Sequence, residues 1–180
     1  MTVIAVVMTI LVFFVVAFVL LAGARKPKVF RVERSIDIRC APKTVFTQID
    51  DFHAWGAWSP WEKLDPAMVK TYSGAEKGFG SRASWKGNRK AGEGNMEIIK
   101  SVPVSRILVR LEFIQPFAAV NTAEFLLSTK DGTRTQVTWA IFGPMAFPMR
   151  VMSVFVDIDA FMGKDFDRGL SSLKAICEKG

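Results

Sequence analysis

The chain has 180 residues, half of them hydrophobic, and carries a formal net charge of +7. Its single histidine and two cysteines, Cys40 and Cys177, have no metal-ligand spacing, which excludes a Cys/His zinc site and a disulfide-rich scaffold. Two thiols suit a reducing compartment, although one Cys40–Cys177 bridge stays open at this stage. No block of basic residues follows the first 34 positions, so nucleic-acid binding has little support.

The first 24 residues contain no charged side chain. The block Val3–Ala22 has Thr9 as its only polar member, and at about 1.5 Å per residue it spans the roughly 30 Å hydrocarbon core of a bilayer. A lone segment in lipid must satisfy its own backbone hydrogen bonds. We therefore predict a single transmembrane anchor helix over residues 1–24.

A cleaved signal peptide is the alternative, because Ala22-Gly23-Ala24 resembles a signal-peptidase site. The apolar run is longer than a usual signal-peptide core and no basic residue precedes it, which favours an uncleaved anchor. Basic residues follow the run at positions 25, 26 and 28. The positive-inside rule then predicts that the soluble part faces the cytoplasm.

Residues 25–28 form a basic juxtamembrane tether, and residues 29–180 have the length of one domain. Hydrophobic alternation predicts a first strand at 30–38. Five or six antiparallel strands follow the first helix, and the clearest are 81–86, 95–100, 106–113, 122–128 and 135–141. Asp131-Gly132 supplies a tight turn before the last of these strands.

Two helices complete the pattern. Ala41-Pro42 opens a short helix with Val45, Phe46 and Ile49 on its buried side, and an aromatic loop, Phe52–Trp61, follows it. From Phe155 to Ile176 apolar residues recur at spacings of three and four, which is typical of a long amphipathic helix. Because a sheet must cover one side of this helix, the sequence predicts an α+β fold with a curved antiparallel sheet around the C-terminal helix.

Several motifs follow one another in a family-like order: Ala41-Pro42-x-x-Val45-Phe46, Trp55-x-x-Trp58-Ser59-Pro60-Trp61, Gly80-Ser81-x-Ala83-x-Trp85, Gly92-x-Gly94-x-Met96-x-Ile98, Asp131-Gly132-Thr133 with Val137-Thr138-Trp139, and Phe161-Met162-Gly163-Lys164-Asp165-Phe166-x-x-Gly169-Leu170-x-x-Leu173-Lys174. With them, residues 30–178 resemble the polyketide cyclase/dehydrase-like branch of the START-like (SRPBCC) superfamily. The resemblance implies the helix-grip fold with a deep apolar cavity between sheet and helix. It implies little about chemistry, because the superfamily holds carriers, lipid-binding proteins and cyclases.

Large apolar side chains are the candidates for contact with a ligand in such a cavity, although each of them is equally suited to core packing. The candidates are Trp58, Trp61, Trp85, Phe113, Trp139, Phe161, Phe166 and Leu170. The segment Gly143–Met152 is rich in Met and Phe, which suits an adaptable apolar surface. It is either a lid or membrane-touching entrance, or an ordinary packed connection.

No arrangement of residues predicts catalysis. His53 has neither a nucleophile nor an oxyanion motif beside it and is interpreted as a surface histidine, while the preceding Asp50-Asp51 is interpreted as a helix end and turn. Polar strand residues such as Glu124 are not assigned a chemical role, and the glycines form no phosphate-binding loop. We name no catalytic residue, no metal ligand and no cofactor.

Three functions are compatible with these observations. The favoured one is a membrane-anchored domain that binds a hydrophobic small molecule, such as a lipid, an isoprenoid or a polyketide-like compound, in an apolar cavity. The second is an enzyme of the polyketide cyclase/dehydrase type acting on a lipophilic substrate, which needs a buried titratable group facing the cavity. The third is a membrane-tethered interaction module, which predicts a filled cavity and an exposed apolar patch elsewhere.

Overall fold

The computed structural model describes residues 2–129 and 132–179. Its helices are α1 (Thr2–Arg25), α2 (Pro42–Asp50), α3 (Trp55–Trp58), α4 (Phe147–Met152) and α5 (Ile158–Cys177), with 3₁₀ turns at Phe52–Ala54 and Pro60–Lys63. Its strands are β1 (Val29–Ile38), β2 (Val69–Gly74), β3 (Ser81–Lys86), β4 (Glu93–Val102), β5 (Arg106–Gln115), β6 (Ala119–Thr129) and β7 (Thr135–Pro144). Of the predicted Asp131-Gly132 turn, Asp131 lies outside the described residues.

All seven strands form one antiparallel sheet in the order β1-β7-β6-β5-β4-β3-β2. The predicted α+β architecture, an antiparallel sheet with a long C-terminal helix, is therefore confirmed. Every predicted strand is present: 81–86 has the predicted bounds, and each of the others is extended by one to three residues at one or both ends. The unpredicted strand is β2. Its large apolar residues, Val69 and Tyr72, are three positions apart, so their spacing does not indicate a strand.

The antiparallel order gives the sheet two distinct ends. At one end β1, β6, β4 and β2 begin and β7, β5 and β3 finish, and Val29 pairs there with Pro144. Because α1 joins β1 at this point, we call it the α1 end of the sheet. The opposite end, where Ile38 pairs with Thr135, is called the far end.

Helix α5 packs on the concave face of the sheet through a stack of aromatic rings. The Trp139 ring lies against the Phe166 ring with centroids 4.4 Å apart and planes 9° apart, and the Phe125 ring lies 5.1 Å away from Trp139. Gly169 permits this close approach, because a Cβ atom there would lie 2.7 Å from the Trp139 ring and 3.0 Å from Pro60. The stack fixes the distance between helix and sheet.

An ion pair holds the N-terminal part of α5 to β1. The Arg34 guanidinium donates to both carboxylate oxygens of Asp159, with Nη1–Oδ1 and Nη2–Oδ2 distances of 3.0 and 2.8 Å. This hydrogen bonding lowers the pKa of Asp159 below its ordinary value. Gly163 leaves room for the guanidinium to pass across the helix.

Helix α1 is long and apolar enough to cross a membrane, although a signal sequence would pass the same test. Most of its side chains are exposed, but its last turn packs on α4. Gly23 is buried there, since a Cβ atom would lie 2.8 Å from the Val151 side chain. The Arg150 guanidinium donates to the Ala24 carbonyl with an Nη1–O distance of 3.2 Å. The domain is thus held against the end of α1 by contacts as well as by the chain.

Substituting Gly169→Ala tests the fixed distance between α5 and the sheet. Overpacking against Trp139 costs about 1–3 kcal/mol, and the better helix propensity of alanine returns up to about 1 kcal/mol. We expect a net loss of about 1–2 kcal/mol in the free energy of unfolding, measured by denaturant titration. Ser171→Ala, at an exposed position of the same helix, is the control and should not destabilise. Equal stability of both variants would contradict the close approach.

Candidate ligand-binding cavity

A cavity of about 460 Å³ lies between the concave face of the sheet and the N-terminal half of α5. Its lining comes from the strand segments nearest the α1 end, from the β3–β4 turn and from the chain before β2. Most lining side chains are apolar, among them Phe52, Trp55, Trp61, Leu64, Met68, Tyr72, Ala83, Trp85, Met96, Leu111, Phe113, Trp139, Ile141, Phe161 and Phe166. This space is of the size that holds one small molecule.

The far half of the same interior is filled. Ile38, Ile49, Ile98, Ile107 and Val137 are fully buried in the core that lies between α2, α5 and the far end of the sheet. Leu173 of α5 also belongs to this core. The interior is therefore solid at the far end and open toward the α1 end.

Trp85 forms the wall nearest the β3–β4 turn. Its indole Nε1 donates to the Ala91 carbonyl over 3.0 Å, and its ring meets the Phe113 ring edge-on with centroids 5.8 Å apart. Gly94 lies directly under the ring, because a Cβ atom there would be 2.4 Å from Cη2 of Trp85. The absence of a side chain at Gly94 thus lets Trp85 lie flat on the sheet and leaves space above it.

Six of the eight predicted cavity residues line this space: Trp61, Trp85, Phe113, Trp139, Phe161 and Phe166. Phe161 is also 70% exposed, so it stands at the mouth. That these side chains contact a ligand stays a prediction.

Trp58 and Leu170 do not line the cavity. The Trp58 indole Nε1 donates to the Gln48 carbonyl at the end of α2, and its ring meets the Trp139 ring edge-on at 5.5 Å, which places it in the core. Leu170, 1% exposed, lies one helical turn beyond Phe166 on the core side of α5. Both residues instead support the walls from behind.

Sequence reasoning missed a charged pair among the lining residues. Lys70 of β2 is in register with Trp85, so its side chain projects from the concave face, and it forms an ion pair with Glu62 of the 3₁₀ turn at Pro60–Lys63. Both side chains are largely withdrawn from solvent, and burial lowers the pKa of Lys70. Because β2 was not predicted, no signal in the sequence placed Lys70 on this face.

His53 and its neighbours lie beside the cavity wall. The His53 Nδ1 atom is 2.9 Å from Oδ1 of Asp51, and the imidazole stacks on the Tyr72 ring with centroids 4.1 Å apart. The His53 side chain is half exposed, and Tyr72 separates it from the lining. Asp50 ends α2 and accepts a hydrogen bond from Ser101 Oγ over 2.6 Å, while burial raises its pKa. These contacts shape the loop after α2.

Glu124 lies on the convex face, away from the cavity. Its carboxylate is almost fully buried between two guanidinium groups, with Oε2 3.2 Å from Arg31 Nη2 and Oε1 2.5 Å from Arg106 Nη2. Arg110 and Glu112 form a looser exposed pair on the same face, with Nη2–Oε2 at 3.6 Å. The Glu124 pairs thus link β6 to β5 and, across β7, to β1, whereas Arg110 and Glu112 both belong to β5.

Metal-binding clusters are absent from residues 2–129 and 132–179, where no three His, Cys, Asp or Glu side chains come together. Cys40 and Cys177 are both free thiols, so the bridge left open by the sequence is not formed. Burial raises the pKa of the Cys177 thiol to about 11, which makes this cysteine a poor nucleophile at neutral pH.

The sheet, the long helix and the cavity between them agree with the comparisons with known proteins. Residues 29–178 match the model of the family described as polyketide cyclase / dehydrase and lipid transport. The chain belongs to this family. No curated protein matches it.

Solved structures similar to this chain share the family fold at low sequence identity. A START superfamily protein from Mycobacterium smegmatis is 12% identical with a TM-score of 0.57, over 83% of this chain and 97% of that one. A hypothetical protein of Helicobacter pylori is 10% identical with a TM-score of 0.62, over 82% and 88%. The Aha1 dimer from Colwellia psychrerythraea is 15% identical with a TM-score of 0.58, over 83% and 96%. The predicted START-like resemblance is confirmed.

Removing one member of the buried ion pair should be worse than removing both. Lys70→Met leaves the Glu62 carboxylate beside an apolar cavity without a counter-charge, and we expect a loss of about 1–3 kcal/mol, reduced from the fully buried case because Lys70 keeps some exposure. The double variant Glu62→Gln/Lys70→Met should recover most of this loss. A double-mutant cycle by denaturant titration measures the coupling, and additive effects would contradict the pairing.

Proposed function

We propose that this protein is a membrane-anchored binding protein that holds a hydrophobic or amphipathic small molecule, drawn from the bilayer spanned by α1. The observation that carries the proposal is the apolar cavity of about 460 Å³ beside an N-terminal helix of membrane-spanning length. Each 100 Å² of apolar ligand surface buried there contributes about 2.5 kcal/mol of gross binding energy. A lipid, isoprenoid or polyketide-like molecule suits such a lining.

The comparisons support this choice of ligand class. The family description names lipid transport, and a START superfamily protein is among the similar structures. The same description also names cyclases and dehydrases, so the ligand class rests on the lining rather than on the family alone.

The anchor is proposed to be retained, with residues 1–24 in the membrane, 25–28 as the tether and 29–180 as the START-like domain. Ala22-Gly23-Ala24 lies inside α1, and Gly23 is covered by Val151. In the folded chain this segment is therefore helical and partly covered. The basic residues after the helix favour a cytoplasmic domain in a single-pass protein.

The enzyme alternative is kept because of one observation. Lys70 and Glu62 are titratable, largely buried and part of the lining, which is the condition that catalysis on a lipophilic substrate requires. Ser59 and Ser84 also belong to the lining, but no side-chain hydrogen bond joins either of them to Glu62 or Lys70. Turnover of a lipophilic ketone that is lost in Glu62→Gln, with binding retained, would favour this alternative.

The interaction-module alternative predicts a filled interior. The open cavity does not meet that condition, whereas exposed apolar residues do occur near α1. We therefore place ligand binding first.

Filling the cavity tests the proposal. Ala123→Leu and Ala83→Leu add bulk to two different strands of the lining, while Val120→Leu changes an exposed residue of the same strand as Ala123. We expect mass spectrometry of the detergent-extracted full chain to find a hydrophobic small molecule in the wild type and in Val120→Leu. The amount bound should fall at least severalfold in both cavity variants.

Thermal denaturation of each variant separates lost binding from lost folding. The proposal is wrong if the wild-type chain carries no such molecule and binds no hydrophobic fluorescent probe. It is also wrong if folded cavity variants retain the full amount.

A further inference from the structure

We propose that the α1 end of the domain inserts into the interfacial layer of the bilayer, so that the cavity mouth faces lipid instead of bulk water. The occupant of this surface is the bilayer itself, with a preference for anionic headgroups. The inference rests on the anchor in the proposed function and adds to it an orientation and a route for the ligand.

Helix α4 packs against the end of α1. Val151 covers Gly23, and Arg150 donates to the Ala24 carbonyl. Gly23 and Ala24 directly follow the apolar run that ends at Ala22, so they lie within about one helical turn, roughly 5 Å, of the hydrocarbon boundary. α4 is therefore held at the depth where amphipathic segments rest on membranes.

Several large apolar side chains at the α1 end of the domain are exposed. On α4 itself Phe147, Met149 and Met152 are 42–54% exposed, although such groups are normally covered by protein. Phe155, in the connection to α5, is 71% exposed, and Phe117, in the separate β5–β6 turn at the α1 end, is 82% exposed. Residues from two distant parts of the chain thus present uncovered apolar groups at the same end of the sheet.

The end of α1 and helix α4 carry basic residues. Residues 1–32 and 132–156 contain no Asp or Glu. Arg25, Lys26 and Lys28 follow α1, and Arg150 lies on α4. Acidic residues occur at the margins of this region, with Asp157 two positions after Phe155 and Glu93 at the start of β4. The charges at the end of α1 and on α4 are basic, and apolar groups next to basic residues match the interface of a membrane with anionic lipids.

Part of the cavity lining lies at this same end of the sheet. Phe161 both lines the cavity and is 70% exposed, and it lies only six residues after Phe155. Lys90 and Ala91, in the β3–β4 turn, and Phe113, near the end of β5, also line the cavity at the α1 end. A ligand leaving the bilayer would enter here without exposing its apolar surface to bulk water.

Site-specific labels on the full chain in nanodiscs test the orientation. In a Cys40→Ala background, where the remaining Cys177 is buried, an environment-sensitive fluorophore is placed at Met149→Cys or Phe155→Cys. Phe79→Cys at the far end, where Phe79 is 71% exposed, is the matched control. We expect lipids spin-labelled near the headgroup to quench the labels at 149 and 155 severalfold more strongly than the label at 79.

A fourth label, at Val12→Cys in α1, separates this inference from the proposed anchor. Because residue 12 lies at the middle of the proposed span, its quencher is a lipid spin-labelled near the end of the acyl chain. If the label at 12 is quenched while the labels at 149 and 155 are as accessible to water as the label at 79, the proposed anchor is supported and the inference is overturned. Absence of quenching at 12 would overturn both.

The route is tested by loading kinetics. The double variant Met149→Ser/Phe155→Ser and the control Phe79→Ser are reconstituted as full chains, and a fluorescent fatty acid is supplied in the same bilayer. We expect the loading rate to fall severalfold in the double variant, with the final occupancy and the control unchanged. An unchanged loading rate in the double variant overturns the proposed route, and lack of loading in the wild type instead contradicts the proposed binding function.

Discussion

The stacked rings of Trp139 and Phe166 set the distance between the sheet and the long helix α5 that covers it, and the rest of the domain depends on that distance. Gly169 brings α5 close enough for the rings to meet, and Trp58 supports Trp139 from behind. A single helix cannot cover a seven-stranded sheet along its whole length. Beyond the stack, toward the α1 end, side chains line a space instead of filling it.

The position of the cavity in the domain interior determines how a ligand can reach it. A cavity sealed by the core would exchange its contents only through local unfolding, which is costly. Here the solid half is at the far end, so the open half lies toward the α1 end of the sheet. The Glu62–Lys70 pair adds one polar location to an apolar lining, the combination that orients an amphipathic molecule without binding it through many polar contacts.

Strands and helices with a clear periodicity of apolar residues could be predicted from sequence, whereas features that depend on tertiary contacts could not. Alternation in Arg106–Phe113 and the apolar stripe of α5 follow directly from burial of one face. Residues of β2 carry no such pattern, so Lys70 and Tyr72 were missed as lining residues. Its size makes Trp58 a candidate lining residue, but a hydrogen bond to the Gln48 carbonyl holds its ring in the core, and no local sequence pattern encodes that bond.

The proposed anchor and the cavity form one arrangement, since each contact between α1 and the domain removes a freedom that a flexible tether would leave. Residues 25–28 alone would let the domain rotate relative to α1. Packing of Val151 on Gly23 and the Arg150 bond to Ala24 hold one end of the sheet against the end of α1, which is the end that we propose to face the bilayer. With that orientation fixed, less entropy would be lost each time the cavity mouth met the membrane, and loading would be a local event at the membrane surface. We therefore propose that residues of α4 and of its connection to α5, outside the lining itself, decide ligand access.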